Sequence, residues 1–347
     1  MRWRIATARA ILDFVTPDLR GPLALALAAV TLLVLGVAVP AGAQGPATGF
    51  TPQEAQAYKD WYDANGASDF PKAIVLAREY LKTYPAGRYA DYLRSWIPQV
   101  RSRLFGQAVQ GRDADAMLRL GREGLADNPD DLFYLYWLAV GLRTIELQTT
   151  PPRAAHETEI VEFTRRAIAL VEAGKVPPGV EPARWSQKAA VGELYETLAL
   201  VEEGHERWEA AAAYAEKAAA LDPASPSHVF DCGRQHQASY LQAVRDLQAV
   251  PDADRLATPA KPEVQGVVDR VNRQADAVID CWTRFVALTA TDNPYGETRA
   301  SVEKALGELY RYRHPDDPDG LRKLIDARRG AAPTTPAGAP PPSRSTP

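Results

Sequence analysis

Four side chains in the second half of this chain are of types that bind metals or exchange electrons: His228, Cys232, His236 and Cys281. Imidazole and thiolate both suit zinc, and the first three recur at every fourth residue, on one face of a helix. A straight helix rises 1.5 Å per residue, so His228 and His236 stand about 12 Å apart. Bonds near 2 Å cannot span that distance, and at most two of the three could share an ion. The two cysteines admit a second chemistry. Their midpoint falls near Pro251 to Thr258, a Pro-containing segment expected to turn the chain between two helices. Residues equidistant from the turn of an antiparallel hairpin lie side by side, so a Cys232–Cys281 disulfide is expected. That bond would consume the thiolates, and neither a metal nor any other cofactor is expected.

No motif for catalysis accompanies these residues. The chain has no Gly-rich phosphate loop, no HExxH and no G-x-S-x-G. His156 and His205 fall at a loop and a turn, and the run Glu202, Glu203, Glu206 reads as a solvated helix face. The expectation is a protein that is not an enzyme.

The N-terminus carries an export signal. Arg2, Arg4, Arg9 and Arg20 precede an uncharged run from Leu23 to Val39, which is followed by Pro40-Ala41-Gly42-Ala43. A basic leader, an apolar centre and small residues in an Ala-x-Ala arrangement are read by a signal peptidase, here between Ala43 and Gln44. Retention of residues 23–39 as an anchor in the inner membrane is the alternative, because that run is at the lower limit for spanning a bilayer. Either outcome places the rest of the chain outside the cytoplasm, periplasmic or secreted, where disulfides persist. Removing the leader's four arginines and two aspartates shifts the net charge from −4 to −6. An acidic chain lacks the basic face that nucleic acid requires.

Residues 44–51 read as a linker and residues 52–329 as one helical domain. From 330 to 347 the composition is Ala, Pro, Thr, Gly and Ser with one Arg, a disordered Pro-rich tail. In the body, period-two β-branched runs are missing and apolar residues recur at helical spacing, as in Leu135, Leu138, Ala139 and Leu142. The fold class is all-α. Helices are expected in antiparallel pairs: Pro52 to Ala64 with Phe70 to Tyr84 across Asn65-Gly66, and Arg88 to Gln110 with Asp113 to Ala126 across Gly111. Asp131 to Leu147 pairs with Glu157 to Glu172 after an insertion containing Pro151-Pro152. Ser186 to Glu203 pairs with Glu206 to Leu221 across Gly204, and Ser227 to Ala249 with Glu263 to Ala290. Pro294 to Arg313 pairs with Pro318 to Arg329.

A nine-residue phrase ties these pairs together. Ala77-Arg-Glu-Tyr-Leu-Lys-Thr-Tyr-Pro85, Gly121-Arg-Glu-Gly-Leu-Ala-Asp-Asn-Pro129 and Ala215-Glu-Lys-Ala-Ala-Ala-Leu-Asp-Pro223 each begin small, continue charged and close on proline. Within Ser186 to Pro226, Tyr195, Leu198, Ala199, Ala211, Ala215, Ala218 and Pro223 resemble the signature of the tetratricopeptide repeat family, with departures at Glu202 and Ala215. The intervals between phrases differ from the family's ~34 residues, so the repeats are degenerate. The resemblance, to an exported bacterial type, implies a right-handed solenoid of stacked helix pairs. It also implies a non-catalytic scaffold that binds a protein or peptide partner in the cell envelope. Tyr58, Trp61 and Tyr62 are the candidate binding aromatics, whereas Phe133, Tyr134, Tyr136 and Trp137 read as core. A membrane-anchored structural spacer, or a metal-dependent enzyme using the His228/Cys232/His236 face, are the alternative functions.

Overall fold

The computed structural model describes residues 51–148, 155–289 and 295–331. The leader at 1–43 with its Ala43–Gln44 junction, the 23–39 segment, the linker up to residue 50, Pro151-Pro152 and the tail beyond 331 lie outside the described residues. Among the described residues no helix is long and apolar enough to cross a membrane. The described residues form thirteen α-helices and no strand. The chain divides after Gly141 into two compact units, where the sequence reading expects one domain.

The N-terminal unit holds α1 (Pro52–Gly66), α2 (Phe70–Thr83), α3 (Ala90–Gly111), α4 (Ala114–Asp127) and α5 (Leu132–Leu142, whose last residue lies past the division). Side-chain oxygens start the helices where the sequence supplies them. Thr51 accepts from the Glu54 amide at 3.1 Å, Asp69 from Lys72 and Asp113 from Ala116, satisfying donors that a helix N-terminus leaves open. Trp61, Ala73, Ala77, Tyr80 and Leu93 form its buried core. A buried carboxylate sits beside that core. Glu54 accepts from the Tyr80 hydroxyl at 2.5 Å and from the Arg88 amide at 2.8 Å, and the Tyr89 amide donates to the same Tyr80 oxygen. Burial pushes the Tyr80 phenol up to about 12, and the Glu54 hydrogen bond adds to the rise.

The C-terminal unit begins with a π-helical turn (Arg143–Leu147) and continues through α6 (Glu157–Glu172), a 3-10 turn (Pro182–Arg184), α7 (Gln187–Gly204), α8 (Trp208–Leu221) and α9 (Pro226–Ala249). After the four-residue α10 (Asp252–Arg255) come α11 (Pro262–Leu288), α12 (Gly296–Arg313) and α13 (Gly320–Ala331). Its packing follows chain order from α6 to α9. Then α9 lies along α11, and α11 carries both α12 and α13. The last helix runs to Ala331, past the 330 boundary expected for the tail.

The turns differ from the sequence expectation in an instructive way. Gly66, Gly111 and Gly204 are each still helical. The left-handed residue comes just afterwards, at Ser68, Arg112 and Glu206. In each turn the next amide reaches back five residues: Asp69 to the Ala64 carbonyl, Asp113 to Ala108 and Arg207 to Glu202, at 2.9–3.0 Å. That bond closes one helix, and its donor residue is already the cap of the next. A glycine at the end of a helix lowers the cost of leaving it but does not choose the residue that leaves.

The nine-residue phrases also mark one geometry. The caps Tyr84, Asn128 and Asp222 each donate their amide to the carbonyl four residues earlier, with ψ of 64°, 97° and 76° leading into proline. His314 ends α12 in the same manner before Pro315, a fourth copy whose sequence lacks the apolar fifth residue. The closing prolines at 85, 129, 223 and 315 are separated by 44, 94 and 92 residues. None of these intervals is the ~34-residue period of a tetratricopeptide repeat.

Helix α4 meets α5 through residues without side chains. A Cβ on Gly124 would stand 2.3 Å from the Tyr134 ring, and one on Gly121 would stand 2.7 Å from Leu138. Gly106 on α3 faces nothing within 4 Å. Gly124→Ala is expected to destabilise the protein by about 1–3 kcal/mol, because the ring must move within a packed core. Gly106→Ala should stabilise it by about 0.5–1 kcal/mol through helix propensity alone. Equilibrium denaturant unfolding of the two variants checks both signs.

Candidate functional site

Helix α9 carries the chemistry, and its neighbours decide what that chemistry is. Ser225 caps it, accepting from the His228 amide, with Pro226 in the first turn. The next turns bury His228, Cys232, Gln235 and His236. The hairpin α7–α8 beneath has the small-residue face that the sequence suggests: Leu198, Ala199, Ala211, Ala215 and Ala218 are all buried. Tyr195 is half-buried and stacked on Tyr214, with Lys217 over both rings. Pro223 is exposed just past the end of α8.

A polar seam runs between α7 and α9. Glu203 takes both guanidinium nitrogens of Arg234, at 2.6 and 2.9 Å, and also accepts from Gln235 at 2.7 Å. Arg234 donates a third bond to Asp231 at 3.1 Å. Two helical turns earlier on α7, Glu196 accepts from Arg143 at 3.0 Å and stands 3.7 Å from the His228 ring. Glu203 is thus the anchor of an inter-helix network, which corrects its sequence reading as solvated surface. Glu202 likewise pairs with Arg207, and only Glu206 of the three is fully exposed. His205 and His156 also have acidic partners, Glu157 and Glu146, each at 2.5 Å.

The charges in this seam hold one another unequally. Burial pushes the Asp231 carboxyl up to about 6, against the opposing pull of Arg234, with Glu196 and Glu203 adding to the rise. Burial pulls the Arg234 guanidinium down, but Asp231 and Glu203 together hold it above its ordinary range. The hollow lined by Glu196, Ala199, His228, Asp231 and Gln235 encloses about 10 Å³, room for about one water molecule. A space of that size holds no organic substrate, and the seam reads as a fastening between helices.

On the side of α9 toward α11, Cys232 and Cys281 are joined, with their Cα atoms 5.9 Å apart. The bond bears out the pairing read from the midpoint of the loop. It lies in the main core cluster of the C-terminal unit, with Val278, Phe285, Val286 and Leu306. The approach is close because position 233 is glycine: a Cβ there would stand 2.0 Å from the Trp282 indole. His228 points elsewhere, toward Glu196, so the sequence trio His228, Cys232 and His236 does not converge. A different trio does: Cys232, Cys281 and a ring nitrogen of His236 lie within 4.8 Å of one another. Spacing along a single helix misses it, because Cys281 arrives from another helix.

The candidate aromatics of α1 separate by burial. Trp61 is 1 % exposed and belongs to the core, Tyr58 stacks on Tyr89 at 3.6 Å between ring centres, and Tyr62 is 58 % exposed. Tyr92 on α3, which the sequence reading passed over, is also exposed, and both flank the Trp61 ring. In the other cluster Tyr134 and Tyr136 are buried, as expected, with Phe133 and Trp137 half-buried. No protein-family model matches the chain, and no curated protein matches it.

The native state takes up a proton at Asp231 between about pH 4 and pH 6, where an unfolded aspartate is already ionised. Asp231 therefore lowers stability progressively as pH rises through that window. Asp231→Asn should gain on the wild type by up to about 3 kcal/mol between pH 4 and pH 7, the equivalent of a shift of roughly two units. Paired urea titrations at the two pH values measure the change.

Proposed function

We propose that this chain is an exported, non-catalytic helical-repeat scaffold that holds a protein or peptide partner in the cell envelope. The observation that carries the reading is the recurring hairpin: one helix closing through a five-residue reach-back bond, its partner ending before proline. The small-residue face of α7–α8 supports likeness to a tetratricopeptide unit, and successive pairs of this kind stack into solenoids that are right-handed in that family. The intervals of 44, 94 and 92 residues between the closing prolines differ from that family's usual period of ~34. Its function is a proposal of its own, because a fold does not determine a function.

Two features favour binding over catalysis. In the seam between α7 and α9, Glu203 and Glu196 are held by Arg234 and Arg143 beside a space for about one water. In the N-terminal unit, Tyr62 and Tyr92 offer exposed rings braced by the buried Trp61. Rigid aromatics give contact area at small entropic cost, which suits recognition of an extended peptide or an apolar protein surface. The leader supports export, with release after Ala43 or retention through residues 23–39.

A photo-crosslinking amino acid at position 62 of the exported chain is expected to trap one discrete partner in cells, and Tyr92→Ala should reduce that adduct several-fold. Loss of every adduct at 62, with equal labelling from a probe at Glu206, would contradict the assigned surface. Intact mass of the same preparation should begin at Gln44, whereas a mass including residues 1–43 would favour the anchored spacer.

A further inference from the structure

The meeting of Cys232, Cys281 and His236 is more than the geometry of a disulfide. The Nδ1–H of His236 donates to the Gln274 Oε1 at 2.7 Å, and an amide oxygen can only accept. The proton of the neutral ring is therefore on Nδ1, and Nε2 carries a lone pair. That Nε2 is buried without a partner, in a residue 6 % exposed. Burying an unpartnered acceptor costs free energy, and such a group in a native core points to a role such as holding an ion. A second ring-nitrogen hydrogen bond that sets the tautomer and orientation is also the usual support of a metal-binding histidine.

We propose that when the disulfide is reduced, Cys232, Cys281 and His236 bind one Cu(I) ion. Two thiolates are soft donors that suit Cu(I), an imidazole is a borderline donor that copper also accepts, and three donors in a dry core suit an ion content with low coordination. Zinc takes a fourth ligand, and among the described residues no further His, Cys, Asp or Glu joins the cluster. Metal–ligand bonds of about 2.0–2.3 Å span donor atoms that already lie within 4.8 Å of one another.

A dithiol reductant gives two electrons and two protons to the Cys232–Cys281 bond, is itself oxidised to a disulfide, and leaves two thiols. Cu(I) then displaces the two thiol protons to solvent, forming two Cu–S bonds and one bond to Nε2. The α9–α11 hairpin is thus fastened by sulfur in either redox state, covalently when oxidised and through the ion when reduced. The copper site does not depend on the scaffold reading, nor that reading on the site.

The test uses the full chain, reduced with a dithiol and freed of it by gel filtration under nitrogen, then titrated with Cu(I) against a chromophoric Cu(I) chelator. Reduced wild type is expected to retain one equivalent, and the oxidised chain none. His236→Ala should bind at least 10-fold more weakly with unchanged far-UV circular dichroism, while His228→Ala should match the wild type. Failure of the reduced chain to retain copper, or wild-type affinity in His236→Ala, overturns the site. Thermal melting of the reduced chain covers the case in which reduction loosens the fold. Cu(I) should raise its Tm, or restore its helices, and should do neither in the Cys232→Ser/Cys281→Ser double variant. No effect of Cu(I) on the reduced wild type also overturns the proposal.

Discussion

The bond between Cys232 and Cys281 ties together the two longest helices among the described residues, and the C-terminal unit depends on that pairing. Helix α9 rests on α8 and lies along α11, while α12 and α13 pack on α11 in turn. A chain that must bring residues 49 positions apart into contact loses conformational entropy before any burial repays it. In the chain-entropy picture, closing such a loop in the unfolded state contributes about 4 kcal/mol. Against a typical total of about 5–15 kcal/mol, that is a substantial share. The packing around the bond is correspondingly tight: Gly233 admits the Trp282 indole, and any side chain there would exclude it.

Much of this was legible in the sequence, for reasons that are local. Thr51, Asp69, Asp113, Ser186 and Ser225 are side chains that cap helices, and the structure starts helices at each. The proline that closes the nine-residue phrase stops a helix in each copy, because the residue before proline is driven out of the helical region. The disulfide could be found because an antiparallel hairpin converts sequence distance from a turn into spatial position. The buried alanines of α7–α8 could be found because small residues at helical spacing have few other uses.

What escaped was set by neighbours rather than by spacing. Glu203 has the composition of a surface residue and becomes an anchor only because Arg234 and Gln235 arrive opposite it on α9. Glu54 sits in a helix first turn, where an acid is ordinary, yet it is buried under the Tyr80 hydroxyl. Trp61 looks like a contact residue in a terminal helix, and the packing of α1 on α2 covers it, leaving Tyr62 and Tyr92 outside. The left-handed turn residues were misplaced because Ser68, Arg112 and Glu206 adopt them, although glycine stands only one or two positions before each. In all four cases one helix face is readable alone, and the partner face is not.

The central claim is that the α9–α11 pair, fastened at Cys232 and Cys281, is the most stable part of the C-terminal unit. Native-state hydrogen exchange, resolved by peptide mass spectrometry on the oxidised and reduced chain, tests it directly. The slowest amides of residues 155–331 are expected in α9 and α11 around the two cysteines, with protection there falling most on reduction. A slow core located in α12 and α13, or protection in α9 and α11 that reduction leaves unchanged, would contradict the account.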